Sequence, residues 1–262
     1  MSGDLGAEVV VHAAAATLGK YRNVELILVG DESELAGLAG RIVGKDPRLR
    51  IRHASEIVGM SEAPAEALRR KKDSSMRVAI NLVKEGTADA CVSAGNTGAL
   101  MATAKFVLKM LPGIDRPAII AEFPSGGGSV HMLDLGANTQ ATPAQLYQYA
   151  VMGSLVATDI NGIASPRVAL LNIGAEDTKG HEGVREAAAI LGDSGLNYVG
   201  FIEGSDLLSG KADVNVTDGF TGNVALKTME GTVSVCKHQL TSAFRRNWLT
   251  KLQALLAAPV LR

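Results

Sequence analysis

Aromatic residues make up only 4% of this 262-residue chain, so stacking platforms for nucleic-acid bases are scarce. Charge of neither sign is in surplus: the formal net charge is −1, which gives no electrostatic reason to expect a nucleic-acid partner. The two cysteines, Cys91 and Cys236, sit in apolar settings without CxxC spacing, and read as free thiols of a reducing compartment. The five histidines form no HxxxH or HxH pattern, so no metal site is expected. No apolar run approaches the length of a membrane span, and the start is acidic rather than basic, so neither a transmembrane segment nor a signal peptide is expected. Gly95-Asn96-Thr97-Gly98 lacks the lysine and the length of a nucleotide P-loop, and no dinucleotide glycine fingerprint stands elsewhere. No histidine has a predictable place as base for Ser93, which weakens a serine-nucleophile reading. No cofactor is called for.

What remains is a chain able to bury a substantial core, with 47% hydrophobic residues, 20% charged residues and 29 glycines. Apolar strand-length runs alternate with helical patterns almost throughout. Strands are expected at 24–29, 49–54, 118–123, 130–133, 168–173, 198–202 and 212–217. Helices are expected at 8–18, 35–43, from Pro64, at 77–84, 99–110, 144–156, 183–191 and 223–237. This alternation predicts an α/β fold with a largely parallel sheet covered on both faces. The 118–133 hairpin adds antiparallel edge strands. The basic run Arg69–Lys72 reads either as a solvated helix end or as a contact for an acidic partner or phosphate.

The chain centres on Ala88–Gly98, an apolar run breaking into small polar residues before a helix. It reads as strand, tight turn and helix, with Ser93, Asn96 and Thr97 beside free N–H groups at a helix start, where an anion binds favourably. A similar turn is expected at 214–223. Backbone donors, Ser93, Asn96, Thr97 and Asn223, with Lys179 or Lys227, would hold an oxyanion or inorganic phosphate. Lys227 follows Asn223 by one helical turn, so both can face one site. Asp134 and Asn138 form another polar patch after a strand, open to loop capping or ligand contact. Asp218 orients a lysine or caps the helix that follows.

Taken together, these segments resemble the phosphate acyltransferase PlsX family of bacterial phospholipid synthesis. The resemblance rests on Lys72–Met76, Ala88–Met101, Asp134–Asn138, Pro166–Gly174 with Lys179-Gly180, and Ala212–Gly231, with Gly3-Asp4 similar to the end of the family's glycine loop. It implies a three-layer α/β/α sandwich, Rossmann-like and similar to isocitrate- and isopropylmalate-type dehydrogenases and phosphate acetyltransferases, formed as a single catalytic domain over 1–262. It implies transfer of a long-chain acyl group from acyl carrier protein to inorganic phosphate, in a homodimer bound peripherally to the inner face of the cell membrane. Phosphate would lie near Ser93, Gly95, Asn96 and Thr97. Lys179 and Lys227 would supply positive charge, with Asp218 and Asn223 at the reacting groups and Asp134 and Asn138 orienting substrate. A small-substrate phosphotransacetylase using coenzyme A, and a non-catalytic carrier-protein or membrane-binding domain, are the alternatives.

Members of that family begin with a strand before the glycine loop and continue past the Trp248 helix, so the chain is expected to be incomplete at both ends. Residues 239–262 read as an amphipathic helical tail in which Leu249, Leu252, Leu255 and Leu256 form an apolar stripe with Arg245, Arg246, Lys251 and Arg262 nearby. Such a stripe packs in a core or dimer, or docks on an anionic membrane surface.

Overall fold

The structure, a computed structural model, describes residue 3 and residues 5–261, with side chains as far as residue 257. Asp4 of the expected glycine loop, Arg262 of the tail, and the side chains of Val260 and Leu261 lie outside the described residues. The chain divides into two compact units, Met1–Pro112 and Gly113–Arg262.

The first unit holds α1 (Gly6–Lys20), β1 (Leu26–Gly30), α2 (Glu32–Ile42), β2 (Leu49–His53), α3 (Pro64–Arg70), α4 (Ser75–Lys84) and α5 (Thr97–Leu108). β1 and β2 pair in parallel, with Leu26 opposite Leu49 and Gly30 opposite His53. Val11, Leu28, Leu35 and Leu38 fill one core, and Met76, Ile80, Ala99 and Val107 a second. Helix starts follow their caps: Asp31 accepts from Glu34 N–H at 2.9 Å and Ser74 from Arg77 N–H at 3.3 Å. Of the basic run, Lys71 turns inward to Glu62 at 2.6 Å and Arg70 pairs with Glu66 on the helix surface.

One expected strand does not form. Residues 88–92 run without a ladder partner among the described residues, because β1 pairs only with β2. Val92 is 97% exposed, while Cys91 packs partly buried against the Met76, Ile80 and Ala99 core. Without a neighbouring strand to take its N–H and C=O groups, an apolar alternation alone does not make a strand.

The second unit holds β3 (Ile120–Ser125), β4 (Gly128–Leu133), α6 (Pro143–Asn161), β5 (Val168–Leu171), α7 (Glu182–Gly192), β6 (Tyr198–Ile202), β7 (Val214–Val216), α8 (Gly219–Arg245) and α9 (Trp248–Leu261). Its sheet has the order β3-β4-β7-β5-β6. β3 is an antiparallel edge strand on β4, as the hairpin predicted, and every other pairing is parallel. Alternate residues serve opposite faces. Leu133, Val168, Leu170, Val214 and Val216 pack under α6 and α7, while Met132, Ala169 and Ile202 face the other way and meet Ala225, Leu226 and Met229 of α8. The unit is thus an α/β/α sandwich with a largely parallel sheet. Thr142 and Gln145 close a capping box at the start of α6, and Gly162 ends it in the left-handed conformation at φ 69°.

The turn expected at 218–222 is already helix. Asp218 caps α8 by accepting from Thr221 N–H at 2.8 Å, so the helix starts four residues before Asn223 and continues to Arg245.

At the N-terminal edge of the sheet, Arg167 grips Asp213 through Nε at 3.0 Å and Nη2 at 2.8 Å. The guanidinium beside Asp213 holds its carboxyl below the ordinary 3.8. A carboxylate lowered on folding stabilises above its unfolded pKa, and the contribution fades as pH falls through the folded one. Asp213→Asn should cost about 1–2 kcal/mol at pH 7, discounted for the exposed arginine. Thermal melts of the two proteins should differ at neutral pH and converge as pH falls through the lowered pKa of Asp213.

Candidate active site

Three adjacent parallel strands, β4, β7 and β5, deliver their C-terminal loops to one edge of the second unit's sheet. That is where ligands bind in open parallel sheets. Asp134 N–H donates to Thr217 O at 3.0 Å and Thr217 N–H to Leu133 O at 2.6 Å, so pairing continues one residue past β4 and β7.

Asp134 is fully buried. Its Oδ1 accepts from the N–H groups of Ile119 at 3.0 Å, Gly136 at 3.2 Å and Ala137 at 2.9 Å. Its Oδ2 accepts from Asn138 N–H at 2.7 Å and Asn138 Nδ2 at 2.9 Å. A carboxylate so surrounded has its charge balanced by N–H dipoles and no oxygen left for a substrate. Asp134 orients the loop. Asn138 spends its amide on Asp134 and on Pro117 O at 2.8 Å, so it too acts by shaping the loop.

The start of α8 lies directly on this loop. Gly219 N–H donates to Asn138 O at 2.8 Å. A Cβ at Gly219 would stand 2.6 Å from Asn138 O, and one at Gly222 would overlap the Asp134 carbonyl oxygen. Gly136 takes φ 129° and leaves room for Asn223, whose Nδ2 donates to Leu135 O at 3.1 Å. Both Asp218 oxygens are engaged by Thr221, through N–H at 2.8 Å and Oγ1 at 3.1 Å. Asp218 and Asn223 both belong to the start of α8, and each is engaged in local hydrogen bonding. Lys227, one turn on, is exposed and pairs with Glu230 at 2.8 Å.

After β5, buried Asn172 organises the second loop. Its Nδ2 donates to Lys179 O at 3.0 Å, and Gly180 at φ 87° leaves its Oδ1 room. Lys179 folds its stem over Gly174, with Cγ 3.1 Å from where a Cβ there would lie. Its ammonium is exposed and has no partner among the described residues. Asn172 was missed as a site residue; a buried Asn between a strand and a glycine loop is the signal that marks it.

Ser93, Gly95, Asn96 and Thr97 fall in the first unit. Ser93 Oγ accepts from Gly95 N–H at 3.2 Å. Asn96 caps α5 by accepting from Ala99 N–H at 3.0 Å, while its Nδ2 donates to the carbonyls of Gly59, Met60 and Glu62 at 2.9–3.2 Å. The Asn96 side chain is thus committed, and among the described residues the N–H groups of Thr97 and Gly98 at this helix start have no hydrogen-bond partner. Residue 3 approaches the same turn, with Ala94 O 3.4 Å from a Cβ at Gly3.

The tail is helical and outward-facing. In α8 the buried residues are Gly219 and Gly222, both at its start. Trp248, Leu249, Leu252, Leu255 and Leu256 of α9 are all more than half exposed. These side chains are not packed into the core formed by the described residues. No helix among the described residues is long and apolar enough to cross a membrane.

Comparison with known proteins identifies relatives along the whole chain. The model of a family described as fatty acid synthesis protein matches residues 1–262. The chain is 56% identical to a phosphate acyltransferase of Nitrosococcus oceani, over all of this chain and 77% of that one. It is 53% identical to a phosphate acyltransferase of Coxiella burnetii, over all of this chain and 78% of that one. Among solved structures, the EutD phosphotransacetylase of Staphylococcus aureus superposes with a TM-score of 0.64 at 19% identity, covering 87% of this chain and 79% of that one. A branched-chain phosphotransacylase of Enterococcus faecalis gives 0.56 at 16% identity, covering 87% and 82%. At these identities the structural likeness is one of fold.

The close approach of α8 to the Asp134 loop gives one substitution opposite signs at two places. Gly222→Ala should destabilise by about 3 kcal/mol or more, because backbone must move to admit the methyl. Gly231→Ala, in the same helix with open space around it, should stabilise by about 0.5–1 kcal/mol. Urea unfolding of both variants checks the pair.

Proposed function

The chain belongs to the phosphate acyltransferase family of fatty acid synthesis proteins, and from that membership we propose that it moves a long-chain acyl group from acyl carrier protein to inorganic phosphate. The observation that carries this reading is the match to named phosphate acyltransferases along the whole chain, at 56% identity in the first.

A phosphate oxygen attacks the thioester carbonyl carbon, the C–O bond forms and the C–S bond breaks. Acyl phosphate leaves, and the carrier thiolate takes up the proton that hydrogen phosphate gives up. Negative charge gathers on the carbonyl oxygen and around phosphate, so the chain's contribution is to position the reactants and offset charge. Lys179 is the leading cation, since its ammonium is unpaired and its loop is held by Asn172. Lys227 is the second; its exposed pair with Glu230 is weak enough to open. Asp218 and Asn223 orient groups at the start of α8, while Asp134 and Asn138 fix the loop beside it. In the first unit, Ser93, Gly95, Asn96 and Thr97 build a proposed phosphate-binding turn of their own, where the Thr97 and Gly98 N–H groups have no hydrogen-bond partner among the described residues.

Incubation with long-chain acyl carrier protein and inorganic phosphate, with acyl phosphate measured directly, tests the reading. Lys179→Met should lower kcat/KM about 100- to 1000-fold at unchanged melting temperature. Near-normal turnover by that variant removes Lys179 from the chemistry, and preferential use of a coenzyme A thioester turns the protein into a phosphotransacetylase.

The exposed leucines of α9, with Arg245, Arg246 and Lys251 nearby, support peripheral docking of a homodimeric enzyme on the anionic inner face of the membrane. Replacing Leu252 and Leu255 with glutamate should abolish sedimentation with anionic phospholipid vesicles and leave turnover of soluble substrates unchanged. Retained vesicle binding would assign the stripe to subunit contact.

A further inference from the structure

The segment ahead of β3 carries a cation that the sequence motifs passed over. Asp115 N–H donates to Gln148 Oε1 at 2.9 Å, and Gln148 Nε2 donates back to Asp115 Oδ2 at 3.0 Å. On the other side, Pro117 O accepts from Asn138 Nδ2 at 2.8 Å and Ile119 N–H donates to Asp134 at 3.0 Å. Arg116 lies between these anchors, so its backbone is held on both sides while its side chain is exposed. β3 runs antiparallel to β4 with Ile120 opposite Leu133, which places residues 115–119 beside the Asp134–Asn138 loop. The Arg116 guanidinium has no hydrogen bond or ion pair with any described residue.

Beneath this segment, Tyr149 of α6 is fully buried and its hydroxyl has no partner among the described residues. Burial first, and the charge of Asp134 second, push the phenol up to about 12, while Arg116 acts in the opposite direction. The backbone hydrogen bonds of Pro117 and Ile119 to Asn138 and Asp134 are what hold Arg116 at the loop edge. Asp134 makes no ion pair with Arg116; its oxygens are occupied by five N–H donors.

We propose that Arg116 binds the phosphoryl group of the reaction, holding oxygens of inorganic phosphate as it enters and of acyl phosphate as it leaves. This rests on the acyl-transfer reading above. A guanidinium offers a planar fork that takes two phosphoryl oxygens at once. Of the cations near this edge, Lys227 is engaged with Glu230 and Lys179 is a point charge on a long flexible stem. Arg116 combines a forked donor with a backbone already ordered on both sides, so less freedom is lost when phosphate docks.

Steady-state assays of the full chain, with inorganic phosphate varied at saturating acyl carrier protein donor, read the effect. Arg116→Gln should raise KM for phosphate at least about tenfold, with KM for the acyl donor within about twofold and the melting temperature unchanged. Arg116→Lys, which keeps the charge and loses the fork, should fall between. Lys211→Gln removes the same charge ahead of β7, at the opposite edge of the sheet, and should alter neither KM. An unchanged phosphate KM in Arg116→Gln, or a rise confined to the acyl donor, overturns the assignment. Calorimetric titration of inorganic phosphate without acyl donor separates this from the acyl-transfer reading. At least tenfold weaker binding by Arg116→Gln upholds Arg116 even for a wild type that forms no acyl phosphate. Equal binding by both proteins, or none by the wild type, overturns it.

Discussion

A buried carboxylate with no cation paired to it among the described residues is the constraint on which the second unit's site depends. Burying an ionised carboxylate is costly unless its oxygens are fully hydrogen-bonded. Asp134 meets that condition with donors from Ile119, Gly136, Ala137 and Asn138, which lie on two separate segments of chain. Satisfying one carboxylate therefore folds the 134–138 loop, fixes the approach to β3 and sets the Asn138 side chain. The same requirement explains the glycines. The start of α8 is drawn so near this loop that a side chain at Gly219 or Gly222 would strike backbone.

From that rigid edge the rest of the chemistry is arranged by contrast. Asp134, Asn138, Asn172 and Asn96 face inward and spend their polar atoms on backbone, whereas Lys179 and Arg116 keep their charges exposed above ordered loops. Short polar side chains suit the first task because they reach only local N–H and C=O groups. Long cationic ones suit the second, since their stems carry charge out to where a phosphate or a developing oxyanion would stand. The outward leucines of α9 belong to neither set and offer apolar area beyond the core.

Much of the fold was legible because strong local signals agreed with tertiary demand. Thr142-Pro143 announced α6, and the 118–133 runs announced an antiparallel edge. Two readings failed for physical reasons. The 88–92 run has strand composition but no pairing partner among the described residues, and composition carries no information about which neighbour is present. The 218–222 segment has turn composition, yet glycine there answers close packing against Asp134, so the residues that resemble a loop form the first turn of a helix.

By itself, the sequence determined the α/β alternation, the family and the short list of polar residues after strands, because these depend on periodicity and on motifs local in the chain. Tertiary structure alone decided what each of those residues does. Only the fold brings Ile119 to Asp134, Pro117 to Asn138 and Leu135 to Asn223, and so separates polar groups consumed by backbone from those left for a ligand. Arg116 illustrates the division: nothing in its local sequence distinguishes it from a surface arginine. Its significance arises from hydrogen bonds made by residues on either side to partners 15–33 positions away.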